Sequence, residues 1–362
     1  LGGAPDKQQI RAWIYGYLAG ADVVFQESSA MTHFYKHEGR LFLSETGLAC
    51  KKAANFIFDL CPERGEPFCP VALLLEHEHG VEPTPNAHLR LGDNAWGYIP
   101  FEDGDYMIDL FFKEAFPGHS QRPKPPPWKD TTEYGEWRLA GADEQPYEAR
   151  AMHGSTFGDC FEVLTKHCKI GVLKHYPRIF LLGSFNVTPE TLAKLKAFVE
   201  DGGQVSVNAA QLSPEVEDDP FWGAKLGIWI DGKENHWMQS KEPLDACPYR
   251  YRIATPTTAI SIAESETGRP LILKNGVGKG EVYLTTPYYL LCGEKPFSWM
   301  RLATHFLHWW IEPVWPLKVQ TVNGELPQKM LNKLDDGWIV TLGNHSESDW
   351  YGIVKLMIEQ LS

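Results

Sequence analysis

The sequence has 362 residues, of which 43% are hydrophobic and 22% charged, and this is long enough for two or three domains. The net charge of -13 argues against nucleic acid or an anionic membrane surface as a partner, and no apolar run is long enough to span a bilayer. The aromatic fraction of 12%, with 13 Trp, slightly favours a carbohydrate ligand, because a flat ring matches the C–H face of a sugar.

The first predicted elements are a helix and a short strand followed by a carboxylate. Apolar residues recur at helical spacing over residues 10–18, and Gly20 marks a turn. Residues 23–25 form a β-branched and aromatic run typical of a buried strand, and Glu27 comes directly after it. In a parallel α/β protein the carboxyl end of a strand is where a binding or catalytic group is expected. Glu27 is therefore a candidate site residue, although a glutamate here can also merely cap the next element.

A second helix completes the amino-terminal segment. Residues 31–42 predict a loop, and Ser44 is a plausible N-cap of an amphipathic helix that ends before Pro62. Residues 1–66 then amount to one and a half α/β units, which is too little for an independent domain. The Pro- and Gly-containing residues 61–70 predict a hinge-like linker.

The next strand ends in alternating glutamate and histidine. Residues 70–75 are a continuous apolar run, typical of a strand buried on both faces, and Glu76, His77, Glu78 and His79 follow. In an extended backbone the two histidines share one face and the two glutamates the other, so a metal ion would need a ligand from elsewhere. We therefore expect no metal site here, and interpret His79 as part of a polar rim that faces a ligand.

Two further candidates lie in the following loop and helix. Trp96 is at the centre of the loop over residues 81–104, and Asp105 is a plausible N-cap of a helix over residues 106–112. The alternatives are loop packing for Trp96 and helix capping, which we favour, for Asp105. Residues 118–158 are rich in Pro, Gly and charge, and their length without periodicity favours a functional loop or a lid.

A βαβ unit of a parallel sheet is the clearest pattern in the sequence. A buried strand over residues 179–183 is followed by Thr188 and Pro189, an N-cap with Pro at the first helical position. The helix stops at Gly202 and Gly203, and residues 205–208 form the next strand. A short strand over residues 161–164 precedes the unit.

Shorter strands and turns follow. Residues 269–276 and 278–284 predict a hairpin, residues 301–310 an aromatic-rich helix, and residues 328–334 and 338–342 a second hairpin that opens a β-sandwich. The glycines of the first hairpin do not open a helix, so a dinucleotide site is disfavoured and we expect no cofactor.

The seven cysteines form no CxxC pair and no zinc signature. We expect mostly reduced buried thiols and leave one or two disulfides open. The chain begins at Leu1 without a signal-peptide pattern, and we expect it to be a piece of a longer protein.

Three of these segments together resemble glycoside hydrolase family 42 β-galactosidases of clan A. YLAGADVVFQESS with its capped helix is similar to the eighth strand and helix of their (β/α)8 barrel. PVALLLEHEHG, GDYMIDLFF and IFLLGSFNVTPETLAKLKAFVEDGGQVSVN resemble the following domain, which has a class I glutamine amidotransferase-like fold and mediates trimerisation in that family. The last hairpin is similar to the small C-terminal β-domain.

The resemblance implies an α/β fold in three parts. These are the terminal βα unit of a TIM barrel at residues 1–66, a flavodoxin-like, amidotransferase-like parallel-sheet domain at 67–316, and the start of a β-sandwich at 317–362. It also implies a homo-oligomer, which is a trimer in that family, and a carbohydrate substrate. The strand VSVNAAQLS has no Cys where an amidotransferase has its nucleophile, so we expect no amidotransferase activity.

A retaining enzyme of this clan uses two carboxylates roughly 5 Å apart on different barrel strands. The resemblance places both before this chain, so no residue here is predicted to be catalytic. Glu27, His79, Trp96 and Asp105 are predicted to contact substrate instead. Glu27 and Ser28 stand where family 42 has a Trp-Arg pair, which weakens the expectation of galactoside specificity. The alternative function is a non-catalytic oligomerisation and carbohydrate-binding region; a stand-alone amidotransferase or hydrolase is disfavoured.

Overall fold

The computed structural model of the chain describes residues 6–24, 33–77, 102–117, 154–232, 236–238, 247–294, 297–344 and 349–357, with only the backbone described at 6–9 and 236–238. The α-helices of this part are α1 Asp6–Leu18, α2 Glu45–Asn55, α3 Asp103–Ala115, α4 Ile170–Leu173, α5 Pro189–Glu200 and α6 Arg301–Ile311. A π-helical turn, Phe56–Leu60, extends α2.

The strands of the described residues are β1 Phe34–His37, β2 Arg40–Leu43, β3 Glu66–Pro67, β4 Val71–Leu75, β5 Phe161–Thr165, β6 Arg178–Leu181, β7 Gln204–Asn208, β8 Ala224–Gly232, β9 His236–Met238, β10 Tyr249–Pro256, β11 Ile260–Ser265, β12 Pro270–Val277, β13 Gly280–Thr285, β14 Leu291–Cys292, β15 Ser298–Trp299, β16 Leu317–Asn323, β17 Gln328–Lys333, β18 Trp338–Gly343 and β19 Tyr351–Leu356. None of the described helices is long and apolar enough to cross a membrane.

The described residues form two compact units. Unit 1 takes its residues from 1–68, 115–159 and 317–356, and unit 2 from 69–114, 160–316 and 357–362. Residues from both ends of the chain thus meet in unit 1. The assignment of the predicted three parts to particular domain types stays a prediction.

Unit 2 is built on a mostly parallel sheet of eight described strands in the order β5-β4-β6-β7-β13-β12-β11-β9. The first five are parallel, and the remaining pairs are antiparallel. The first parallel strand along the chain, β4, lies between the second and the third, which is the strand order of flavodoxin-type doubly wound sheets. The α/β class predicted from the sequence is confirmed.

Alternating side chains of the strands pack against helices on both faces of this sheet. On β6, Ile179 and Leu181 join the core that includes Leu195 and Phe198 of α5. Phe180 points to the other face, where its ring stacks on Phe111 of α3 at 5.8 Å. Burial on both faces explains why these strands are continuous apolar runs in the sequence.

The βαβ unit is confirmed, with both helix ends satisfied locally. The Thr188 hydroxyl accepts a hydrogen bond from the N–H of Thr191, and Pro189 occupies the first position of α5. At the other end the N–H of Gly202 donates to Val199 and that of Gly203 to Phe198, the paired bonds of a Schellman motif. Gly202 has φ +117°, a conformation that favours glycine.

The strand predicted at residues 23–25 is wrong where the structure describes it. Val23 and Val24 are not in a strand, and the Val23 side chain is 81% exposed. A β-branched run becomes a strand only where a neighbouring strand supplies hydrogen bonds and cover, and the described residues provide neither.

The loop predicted at residues 31–42 is also wrong over its described part. β1 and β2 pair as an antiparallel hairpin from Phe34 opposite Leu43 to His37 opposite Arg40. Glu38 and Gly39 form its two-residue turn with φ +47° and +78°, a conformation in which glutamate is unusual. By contrast the N-cap at Ser44 is confirmed, since its hydroxyl accepts from the N–H of Gly47 at 3.0 Å.

The later elements agree with their patterns. β12 and β13 form one predicted hairpin, β17 and β18 the other, and α6 covers the aromatic-rich helix. A disulfide joins Cys247 to Cys292. The other five cysteines are outside it, and Cys50 and Cys160 are buried.

Candidate functional site

Three of the four predicted site residues, Glu27, His79 and Trp96, lie outside the described residues. Asp105 is described, in the first turn of α3. It was predicted as the N-cap, but the helix begins earlier, at Asp103, and the Asp105 carboxylate accepts a hydrogen bond from the N–H of Glu102 at 2.7 Å. This bond satisfies a backbone N–H at the helix start, as in one half of a capping box. Its proposed contact with substrate stays a prediction.

In unit 2 the carboxyl ends of the parallel strands gather polar side chains at one edge of the sheet. The chain reverses direction across the sheet between β4 and β6, and ligands of doubly wound proteins bind at such a point. Here α3 closes against that point: a Cβ at Gly104 would lie 2.0 Å from the Ser184 hydroxyl oxygen. Glycine at this position lets the first turn of α3 approach the end of β6.

Glu76, directly after β4, is buried and fully engaged. It forms an ion pair with Lys166 and accepts a hydrogen bond from the N–H of Asn186 at 3.3 Å. Beside it the exposed rings of His77 and His167 meet edge to face at 4.9 Å. Among the residues that the structure describes, no group of three His, Cys, Asp or Glu side chains is placed to hold a metal ion. The two histidines alone give a metal too few ligands.

At the end of β7, Asn208 serves as a structural anchor. Its amide nitrogen donates to the Thr285 hydroxyl at 2.8 Å and to the Pro287 carbonyl at 2.6 Å. Its oxygen accepts from the N–H groups of Ala210 and Tyr289, and Gln211 completes a capping box with it. Every polar atom of this buried amide is used in holding the turn, so Asn208 has no group to offer a substrate.

The turn that Asn208 anchors has an unusual backbone. Tyr289 and Leu290 have φ of +49° and +58°, a region that bulky residues rarely adopt. Burial raises the pKa of the Tyr289 hydroxyl, which hydrogen-bonds Ser184. Backbone strain of this kind costs about 1–3 kcal/mol per residue and is concentrated at binding and catalytic sites.

The strained turn presents Tyr288 in a corner of aromatic and charged side chains. The ring of Trp229 on β8 meets that of Tyr288 at 90° with centroids 5.3 Å apart. The guanidinium carbon of Arg250, on β10, lies 5.7 Å from both ring centroids. The Tyr288 hydroxyl donates to a carboxylate oxygen of Asp103 at 3.3 Å. We call Trp229, Tyr288, Arg250 and Asp103 the aromatic corner.

Burial, followed by the Asp103 carboxylate, raises the pKa of Tyr288 to about 12. Its hydroxyl therefore stays protonated at neutral pH and remains a donor to Asp103. The geometry offers ring faces, guanidinium donors and a carboxylate, but no nucleophile beside a general base. Such a set can bind and orient a ligand rather than cleave it.

The sequence interpretation missed this corner. Tyr and Arg alternate over residues 249–252, so Arg250 and Arg252 share one face of any strand there, and this was the available signal. The register that places Arg252 opposite Trp229, and Arg250 opposite Asp231, is a property of the β8–β10 pairing.

No protein-family model matches this sequence, and no curated protein matches it. The structure is similar to that of β-galactosidase from Bacillus circulans sp. alkalophilus, with a TM-score of 0.52 and 12% identity over 94% of this chain and 46% of that one. α-L-Fucosidase isoenzyme 2 from Paenibacillus thiaminolyticus gives a TM-score of 0.48 and 12% identity, over 88% of this chain and 44% of the fucosidase. A catalytic mutant of a GH42 β-galactosidase from G. stearothermophilus gives a TM-score of 0.45 and 13% identity, over 89% of this chain and 44% of that protein.

The chain therefore has the mixed α/β fold found in the Bacillus β-galactosidase. It spans less than half the length of each of these solved proteins. At 12% identity the likeness is one of fold, and the expected family 42-like fold is supported to that extent.

Proposed function

We propose that this chain is the C-terminal part of a β-galactosidase-like glycoside hydrolase that acts on oligo- or polysaccharide. The fold likeness to the Bacillus β-galactosidase over 94% of the chain carries the proposal. Hydrolysis would use two carboxylates, one as acid/base and one as nucleophile, located outside this chain. The described part of the chain would support that centre and contact the saccharide.

Large apolar side chains that are exposed on unit 1 support the proposal that the full-length protein has a further surface covering them. Leu41 on β2 is 72% exposed, and Phe58 and Leu60, after α2, are 74% and 77% exposed. A folded protein rarely leaves several large apolar side chains of neighbouring elements in water unless another surface covers them. The remaining strands and helices of a (β/α)8 barrel are the cover that the proposal supplies.

The proposal assigns residues 1–66 to the end of that barrel, 67–316 to an amidotransferase-like domain of the kind that mediates trimerisation, and 317–362 to the start of a β-domain. The flavodoxin-type strand order of unit 2 supports the middle assignment. The end of β7 carries the anchoring Asn208, and its turn has no cysteine, so the domain would have a structural role. The assembled protein would be a homo-oligomer.

The second candidate is a non-catalytic region for oligomerisation and carbohydrate binding. The aromatic corner favours it, because this arrangement offers contacts to a sugar without a nucleophile–base pair. A full-length product that binds saccharides but hydrolyses none of them would support this candidate over the first.

The test is a panel of aryl glycosides assayed with the full-length gene product. We expect hydrolysis of at least one glycoside by the full-length protein and none by residues 1–362 alone. Failure of the full-length protein on every glycoside, or hydrolysis by this chain alone, would contradict the proposal.

Glu27 provides the residue-level test. In the full-length protein Glu27→Gln should lower kcat/KM at least tenfold, about 1.4 kcal/mol of transition-state stabilisation, because a substrate-contacting carboxylate would lose its charge. Glu38→Gln is the matched control, since Glu38 lies in the exposed turn of the β1–β2 hairpin. Unchanged kinetics for Glu27→Gln would reduce this residue to a structural cap.

A further inference from the structure

We propose that the aromatic corner of unit 2 binds a neutral pyranose ring of an oligo- or polysaccharide. The inference rests on the proposed function, which gives saccharides as the substrate class. It adds which residues bind the saccharide and that the bound sugar is neutral. All four side chains belong to unit 2, and they come from α3, β8, β10 and the turn after β13.

The two rings supply apolar faces of the right kind. Trp229 and Tyr288 are half-buried and perpendicular, with centroids 5.3 Å apart, so they form two walls of a corner that holds the exposed Arg250 side chain. A pyranose has one face of C–H groups and a rim of hydroxyls. Its C–H face can pack on one wall while its hydroxyls reach the polar groups beside the other.

Arg250 supplies hydrogen-bond donors that the described protein does not use. Its side chain is exposed, and within the described residues its guanidinium lies over the two rings and forms no hydrogen bond or ion pair. A guanidinium has five N–H donors in a fixed planar array. Neighbouring Arg252 also lies over the Trp229 ring, 5.9 Å from its centroid, but its donors are held by an ion pair with Glu217 at 2.5 Å and a hydrogen bond to the Gly227 carbonyl.

The corner is also preorganised. The Tyr288 hydroxyl is bonded to Asp103, and the next residue, Tyr289, is held in its strained conformation by Asn208. A ring whose backbone and hydroxyl are both fixed loses little further freedom when a ligand binds. A role in ligand binding would explain why the strained backbone of Tyr289 is kept at the carboxyl edge of the sheet.

The charges favour a neutral sugar over an acidic one. The Asp103 carboxylate borders the Tyr288 ring, and the exposed Asp231 lies directly opposite Arg250 on β8. Together they oppose the approach of a uronic acid carboxylate to Arg250. Sugar hydroxyls, in contrast, carry no charge and can accept hydrogen bonds from Arg250.

The competing explanation is purely structural: Arg250 would only clamp the β8–β10 ribbon to the turn by cation–π contacts. Isothermal titration of the full 362-residue chain with β-1,4-galactotriose separates the two. Wild type should bind with a dissociation constant of the order of 1 mM. Arg250→Gln and Trp229→Ala should each weaken binding at least tenfold.

Arg269→Gln is the matched control. Arg269 is also an exposed arginine over a tyrosine, 5.9 Å from the ring of Tyr251, but that ring is buried and offers no face to a sugar. The dissociation constant of the Arg269→Gln variant for galactotriose should stay within twofold of the wild-type value. Circular dichroism checks that each variant folds. Because Arg250 is exposed, Arg250→Gln should fold normally, and it is sufficient for the test if Trp229→Ala does not fold.

Absence of galactotriose binding by wild type at about 10 mM, or equal binding by Arg250→Gln, would overturn the proposal. Tighter binding of trigalacturonate than of galactotriose would overturn the assignment of a neutral sugar. The aryl glycoside assay of the full-length protein is independent. Loss of binding with intact hydrolysis rejects only the aromatic corner, and binding without hydrolysis rejects only the enzyme.

Discussion

Asp159 is a carboxylate in the interior of unit 1, where the Tyr15 hydroxyl and the Gln328 amide donate to the same oxygen at 3.0 and 2.9 Å. Burial raises the pKa of Asp159 from 3.8 to about 6, although these two bonds and the charge of Lys329 oppose the rise. The Lys329 ammonium is committed to the Thr156 carbonyl at 2.7 Å. A carboxylate in this place makes stability depend on pH.

The folded state binds the Asp159 proton more tightly than the unfolded state does. Stability should therefore fall as the pH rises from about 4 to about 6, by about 3 kcal/mol in total, and then stay level as far as this group is concerned. Asp159→Asn should remove this dependence, so the free energy of unfolding of the variant should increase relative to that of wild type as the pH rises. Urea unfolding at several pH values measures it, with the exposed Asp59→Asn as control. Parallel curves for wild type and Asp159→Asn would contradict the prediction.

At the scale of elements, the βαβ unit β6–α5–β7 shows how local signals can determine structure. Its N-cap, N1 proline and paired glycines satisfy the helix ends with residues adjacent in sequence. The prediction from sequence succeeded here because these interactions need no distant partner. The β1–β2 hairpin was missed because glutamate is an unusual residue for the first position of its turn.

Thr188→Ala should lower the free energy of unfolding by about 1 kcal/mol, because the N–H of Thr191 loses the hydroxyl that caps it. Thr188→Ser keeps the cap and should remain within a few tenths of wild type. Chemical denaturation of the three proteins is sufficient. A serine variant as unstable as the alanine variant would assign the effect to lost packing of the methyl group.

At the scale of the whole molecule, the exposed apolar residues of unit 1 distinguish the chain alone from the full-length protein. In the chain alone, replacing Phe58 and Leu60 together with Glu should lower binding of a hydrophobic dye about twofold or more, because two large apolar side chains leave the surface. In the full-length protein the same change should lower the melting temperature, since charges would enter a covered interface.

Ile228→Glu is the control, since Ile228 is 70% exposed but belongs to β8 of unit 2. It should leave the melting temperature of the full-length protein unchanged. If the double variant also leaves it unchanged, the unit 1 surface is not covered, and the proposed barrel loses that support.

The sequence by itself determined the elements whose signals are local. The buried strands β4, β6 and β7, the caps at Ser44 and Thr188 and the hairpin β12–β13 follow from apolar runs, hydroxyls and glycines within a few residues. Tertiary structure decided what depends on partners far along the chain. Val23 and Val24 have no neighbouring strand within the described part of the chain and stay exposed. In contrast, sheet register and a strained turn bring together Trp229, Arg250, Tyr288 and Asp103. Propensity acts over one or two turns of chain, but a binding site is made by long-range packing, which no local pattern encodes.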